Sequence, residues 1–429
     1  MSPSYPLWPS THDINRHLKA EKKTHKTTKM KAQRISLKTL QIFLTLFFLS
    51  IQASSQNYDE SKVQPYTLPE LLKTSRNVAV KDQATWENIR RGEVLGLFKN
   101  EVYGQMVHGY ENLSFVFTKM DTDAMNRKAT LKEVEITVTK VGKSVKINLL
   151  YFIPNNRKGP VPIFLLINNR DKNNTDPTRK EKSEFWPAEL LIDSGYAIAA
   201  FHVSDLAPDN KDTYQNGVLQ LYPEQINSPN GMKAIGAWAW GACRVIDYLE
   251  QDADINSKQI FVVGHSRGGK AALWAGAVDQ RFAMVFSNNS GNSGAALSRR
   301  KFGETVKAIN TSFPHWFVDN YKKYNDNEAA LPVDQHMLLA LIAPRPLYVT
   351  SATKDLWADP KGSYISLVHA KEVYDLYRKP LALTPEPPPV NTPIIKSILG
   401  YHNREGIHNL TVYDWTNFIR FANYHLKKP

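Results

Sequence analysis

Cysteine is almost absent from this chain: Cys243 is the only one among 429 residues. An intramolecular disulfide is therefore excluded, and stability has to come from core packing even outside the cell. His and Cys residues show no metal-binding spacing, so no metal or cofactor is expected. Internal repeats and nucleic-acid motifs are also missing. The net charge of +13 taken alone suggests nucleic acid, but its distribution does not. Residues 1–55 hold nine Lys and Arg against Asp13 and Glu21, a net +7, so +13 overall leaves only +6 for the rest. What is plentiful is apolar material: 42% hydrophobic and 11% aromatic residues can bury a full core.

The most apolar run, Leu40–Ile51 (LQIFLTLFFLSI), is also short. A membrane span needs roughly twenty such residues. Lys31, Arg34 and Lys38 precede the run, and Ala53-Ser54-Ser55 follows it. Basic, apolar, then small is the order of a signal peptide. The expectation is cleavage after Ser55, leaving Gln56 first, with export to the periplasm or beyond and no membrane insertion afterwards. An uncleaved anchor is the alternative. No Cys follows the run, which argues against a lipoprotein anchor. Met30 is well placed as the true start, with residues 1–29 an over-extended reading. Residues 56–429 are expected to form one catalytic domain, working as a monomer.

Along that domain, residues 66–110 read as helical, with apolar residues of Trp86–Phe98 at helical spacing. Leu131–Val141 and Val145–Ile153 are rich in β-branched residues around Gly142-Lys143, a hairpin pattern. Val161–Ile167 (VPIFLLI), Tyr196–Phe201 (YAIAAF) and Gln259–Val263 (QIFVV) read as buried strands. Met284–Phe286 and Leu347–Thr350 follow, about sixty residues apart, a gap that predicts an inserted cap or binding segment. Helical stretches fall near 187–194, 230–250, 270–277 and 410–426. Strands alternating with helices predict an α/β fold, a doubly wound, mostly parallel sheet flanked by helices in three layers. Pro385–Pro389 predicts a surface loop.

Gly264-His265-Ser266-Arg267-Gly268 lies between QIFVV and the helix-forming KAALWAGA. A serine hydroxyl needs exposure and a base to attack a carbonyl near pH 7. A tight strand-to-helix turn supplies the exposure, and its crowded backbone demands small residues two positions either side. Gly264 and Gly268 meet that demand, so Ser266 is the candidate nucleophile of an α/β-hydrolase. In such hydrolases the acid and then the histidine follow the serine along the chain. His408 and His402 both precede the closing helix, and His408 is favoured because it directly adjoins it. Asp355 and Asp359 both follow Leu347–Thr350. Asp355 is favoured as the nearer to the strand, since Asp359 precedes Pro360 and could be a helix cap.

Gly264–Lys270 (GHSRGGK), with Trp357-Ala358-Asp359-Pro360 and Gly406-Ile407-His408, resembles the bacterial branch of the glucuronoyl esterases over about residues 66–426. The resemblance implies cleavage of the ester between glucuronic acid on xylan and a lignin alcohol. It implies that Arg267 supports the oxyanion, that Lys270 and Glu304 contact sugar hydroxyls, and that Trp357 lines the sugar site. One departure stands out. Fungal members carry their acid in a Glu-Ser-Gly sequence, and Asn289-Ser290-Gly291 stands there in this chain. The acid then has to come from the later strand, at Asp355. An acetyl xylan esterase or other carbohydrate esterase would share the fold and triad. A secreted peptidase in the same fold is a weaker rival. A non-catalytic binding protein of the same fold is the reading from another class.

Overall fold

The computed structural model describes residues 56–427. The expected signal segment, its cleavage site before Gln56 and the start at Met30 fall on residues 1–55, outside the described residues. Among the described residues one sheet of nine strands runs in the order β1-β2-β3-β5-β4-β6-β7-β8-β9. The strands are β1 (Asn112–Asp123), β2 (Ala129–Lys140), β3 (Lys143–Pro154), β4 (Val161–Asn168), β5 (Ala197–His202), β6 (Ile255–His265), β7 (Met284–Asn288), β8 (Leu347–Ala352) and β9 (Leu399–Arg404). β1, β2 and β3 pair antiparallel, as do β3 and β5; the remaining pairs are parallel. The expected α/β, mostly parallel architecture is what the chain adopts.

The apolar runs are buried on both faces, and alternate residues serve different layers. In β4, Ile163, Leu165 and Ile167 join one core cluster while Phe164 and Leu166 join the other. In β6, Ile260 and Val262 face the first, Phe261 and Val263 the second. On the second side lie α2 (Ala188–Asp193) and α8 (Val412–Leu426), which contributes Trp415 and Phe418. The first side holds α3 (Ala234–Leu249), α4 (Arg267–Val278), α6 (Gln335–Ala340) and α7 (Pro360–Leu376). It also receives α1 (Arg91–Phe98) and lies beside α5 (Val306–Ser312).

Several expectations need adjusting. The segment 66–110 is helical only from Gln83 to Tyr103. Leu72 and Val80 pair their backbones instead, Asp82 caps the helical run, and Gly104 ends it at φ +93°. A Cβ on Gly104 would sit 2.5 Å from Met232 Cα, so only glycine fits. The hairpin turn falls on Val141-Gly142, both at positive φ, one residue earlier than the pattern suggested. β1 and β9 carry too little continuous apolar sequence to be read as strands; most of β1 is exposed. The sixty-residue gap between β7 and β8 does not form a detached cap. Trp316, Phe317, Val318 and Tyr321 bury themselves in the first core cluster.

The sheet order brings the connections from β4 and β6 apart to opposite sides. The crevice at the carboxyl ends of these two strands is where ligands bind in open α/β sheets. Asn169 and Ser266 both lie there.

Candidate active site

Ser266 follows the last residue of β6 and precedes the first of α4. Its φ of +56° is a strained value for a non-glycine residue, as a nucleophile elbow requires. Of the two flanking glycines, Gly264 is sterically obligatory because it faces backbone, while Gly268 is crowded mainly by a side chain. A Cβ on Gly264 would lie 2.0 Å from Gly268 O, and one on Gly268 would lie 2.8 Å from Asn169 Oδ1. The Ser266 amide donates to Asn288 O at 2.8 Å, tying the turn to the end of β7. Ser266 and Arg267 stay partly exposed, while His265 and Gly268 on either side of them are buried. The amide of Arg267, at the start of α4, and the helix dipole are placed to favour developing negative charge.

His408 lies in the loop between β9 and α8, and its Nδ1 shares a hydrogen bond of 2.6 Å with Asp355 Oδ2. With Nδ1 so engaged, Nε2 is the nitrogen that can take up a proton. The same Asp355 oxygen accepts a 2.9 Å hydrogen bond from Asn289 Nδ2. Asn289 therefore buttresses an acid carried by another strand. The His408 ring lies 4.5 Å, centroid to centroid, from that of His265, the residue before Ser266. Ser266, His408 and Asp355 thus come to one end of the sheet from β6, the β9–α8 loop and the end of β8.

The rival candidates have other partners. His402, fully buried in β9, bonds Tyr348 Oη at 3.0 Å and Asp414 Oδ1 at 2.9 Å. Asp359 caps α7 through the Gly362 amide at 2.8 Å and pairs with Arg300 Nε at 2.9 Å. Burial pushes its carboxyl up, against the Arg300 charge.

His265 is closed in. Arg170 donates to its Nε2 at 3.2 Å and Asn288 Oδ1 faces its Nδ1 at 2.5 Å. Burial, then the charges of His408 and Arg170, hold its pKa well below the usual imidazole range, so it stays neutral. Arg170 also donates to Asn409 Oδ1 at 2.8 Å, joining the end of β4 to the residue after His408. Nothing in the local sequence marks Arg170 or gives His265 a role, and Asn289 stands out only as the residue in place of the fungal glutamate; only the fold brings the three to one site.

Arg267 leans away from the helix, toward Asp209 and the Asn169 carbonyl, which it meets at 3.0 Å. Lys270, one turn further, is 3% exposed, and burial pulls its pKa down against the opposing Glu304 charge. Its ammonium meets Ser290 O at 2.8 Å, Asn292 O and Glu304 Oε2 at 2.8 Å. Three donors have three acceptors, so a sugar hydroxyl would have to share or displace one. The Glu304 amide donates to Trp357 O at 2.8 Å. Trp357 is 37% exposed, an aromatic surface open to solvent. Among the described residues, no group of three or more His, Cys, Asp or Glu has metal-binding geometry.

Comparison with known proteins adds the following. The family model of fungal glucuronyl esterases matches residues 136–377. The carbohydrate esterase MZ0003, from an unknown prokaryotic organism, is 39% identical over 400 residues, spanning 86% of this chain and 92% of its own. The 4-O-methyl-glucuronoyl methylesterase of Schizophyllum commune is 28% identical over 75% of this chain and 78% of its own. Among solved structures, a glucuronoyl esterase from Solibacter usitatus superposes with a TM-score of 0.80 at 38% identity. That match covers 85% of this chain and 99% of the other.

Proposed function

The chain belongs to the glucuronyl esterase family, and from that premise we propose that it hydrolyses esters of glucuronic acid by a Ser-His-Asp mechanism. The physiological substrate in this reading is glucuronoxylan esterified to lignin alcohols. The observation that carries it is the 2.6 Å His408–Asp355 bond set against the nucleophile turn.

In this mechanism His408 Nε2 takes the proton of Ser266 as Oγ attacks the C6 carbonyl of the uronate ester. Arg267 and backbone amides hold the resulting oxyanion; a preorganised donor of this kind is worth about 10²- to 10³-fold in rate. The alcohol leaves with the proton from His408. Water, deprotonated by the same imidazole, then frees glucuronate and restores Ser266. Asp355 fixes the imidazole tautomer and stabilises the imidazolium, with Asn289 orienting the carboxylate. Trp357 offers the sugar an aromatic face, and the buried Lys270–Glu304 pair offers it polar contacts by partner exchange. The reading also takes the mature protein to be a monomer of residues 56–429, exported after signal cleavage. Among the described residues no helix is long and apolar enough to cross a membrane.

Assaying benzyl glucuronate against acetylated xylan tests the substrate class. Hydrolysis of the uronate ester, lost in Ser266→Ala, is the expected result. Activity confined to acetyl esters would overturn it. Labelling by a serine-directed phosphonate separates an enzyme from a binding protein: a folded chain that does not label is not a serine esterase.

A further inference from the structure

Arg267 carries a long side chain that is still 31% exposed, so its guanidinium has to be fixed before it can serve an oxyanion. On one side it donates to the Asn169 carbonyl. On the other its Nε pairs with Oδ2 of Asp209. The opposite oxygen of that carboxylate accepts from His315 Nε2 at 2.9 Å and from the Trp316 indole at 2.7 Å. Asp209 is thus saturated along one edge, while its other oxygen holds Arg267 Nε by ion pairing rather than by a hydrogen bond.

The surroundings hold this arrangement rigid. Just before Asp209, the Ala207 carbonyl accepts from the Trp238 indole of α3 at 2.8 Å, and the Leu206 carbonyl from the Val218 amide at 2.8 Å. The His315 and Trp316 carbonyls accept the first amides of α3, from Ala234 at 3.0 Å and Ile235 at 3.3 Å. Both partners of the carboxylate are therefore anchored on one helix. Electrostatics agree. Burial alone would raise the Asp209 carboxyl, but the His315 hydrogen bond, the Arg267 charge and the Trp316 hydrogen bond hold it below the usual carboxylate range. Arg170 stands near enough for the Arg267 charge to lower its pKa, second only to burial.

We propose that Asp209, clamped by His315 and Trp316, is a positioning residue for ester hydrolysis: it aims the Arg267 guanidinium at the forming oxyanion. The long β7–β8 segment, which supplies His315 and Trp316, thereby takes part in the chemistry from a distance. The inference rests on the oxyanion role of Arg267 proposed above.

A double-mutant cycle on the full chain, with benzyl glucuronate as substrate, tests it. Asp209→Asn should lower kcat about ten- to a hundredfold, within the range of a displaced oxyanion donor, and leave KM within about twofold. Asp209→Glu should recover part of the loss. In an Arg267→Ala background, Asp209→Asn should change kcat less than about twofold, because the group it aims is gone. Equal losses in both backgrounds, or an unchanged kcat in the single variant, would overturn the proposal. An Arg267→Ala enzyme with normal kcat would instead sink the oxyanion reading itself. Should Asp209→Asn fail to fold, Trp316→Phe removes one clamp bond, and its loss of kcat should likewise vanish in the Arg267→Ala background; a loss that persists there counts against the proposal.

Discussion

Ser266, His408 and Asp355 differ from their neighbours in what they touch. His408 reaches a carboxylate in the active-site crevice, whereas His402 reaches one in the core. Asp355 faces an imidazole, whereas Asp359 faces a guanidinium and a helix end. These contacts divide rate from stability. Ser266→Ala and His408→Ala should each lower kcat by about 10⁴-fold or more with little change in Tm. Asp355→Asn should cost roughly 10³- to 10⁴-fold in kcat, since it removes the charge that steadies the imidazolium. Asp359→Asn should leave turnover near normal and lower stability by about 1–3 kcal/mol through the lost Arg300 pair. Turnover and thermal unfolding on the same preparations check both; slow turnover in Asp359→Asn alone would reverse the assignment.

At the scale of elements, the nucleophile turn is a steric construction. Gly264 cannot accept a methyl group 2.0 Å from a backbone oxygen without the turn opening. Gly264→Ala should therefore abolish activity even though Ser266 remains, and its folded yield should fall. Gly92, within α1, has nothing within 4 Å of where its Cβ would be. Gly92→Ala should raise stability by about 0.5–1 kcal/mol, the usual helical gain over glycine, with kcat unchanged. Denaturant unfolding of the two variants gives opposite signs if the turn argument holds.

Over the whole molecule, burial of histidine makes the fold sensitive to acid. His336 is pushed down to about 3 by burial, and burial is also the main cause that lowers His265, His202 and His425. Between the ordinary value of 6.5 and these lowered values the unfolded chain binds more protons, so stability falls as pH falls. Asp334 and Asp359, pushed up by burial, act the other way above the ordinary carboxylate value of 3.8. His336→Asn isolates one contribution: its Tm should fall less than that of the parent between pH 6.5 and 4. An unchanged slope would show that His336 titrates normally.

Much of this was legible in the sequence because it depends on local order. Five buried strands, the hairpin, the elbow glycines and the closing helix each leave a pattern within a dozen residues, set by side-chain period and backbone sterics. The turn alone marks Ser266 as the candidate nucleophile, and the order along the chain narrows the candidate histidine and acid to two each, with His408 and Asp355 favoured. Tertiary structure gives the members of each pair different partners, because His402 and His408, or Asp355 and Asp359, differ by a few residues in sequence but meet different side chains. The same holds for Asn289, which the sequence marked only by the glutamate it lacks, and for Asp209, which lies 58 positions before Arg267. Hydrogen bonds across strands and loops act through space, and no pattern along the chain encodes them.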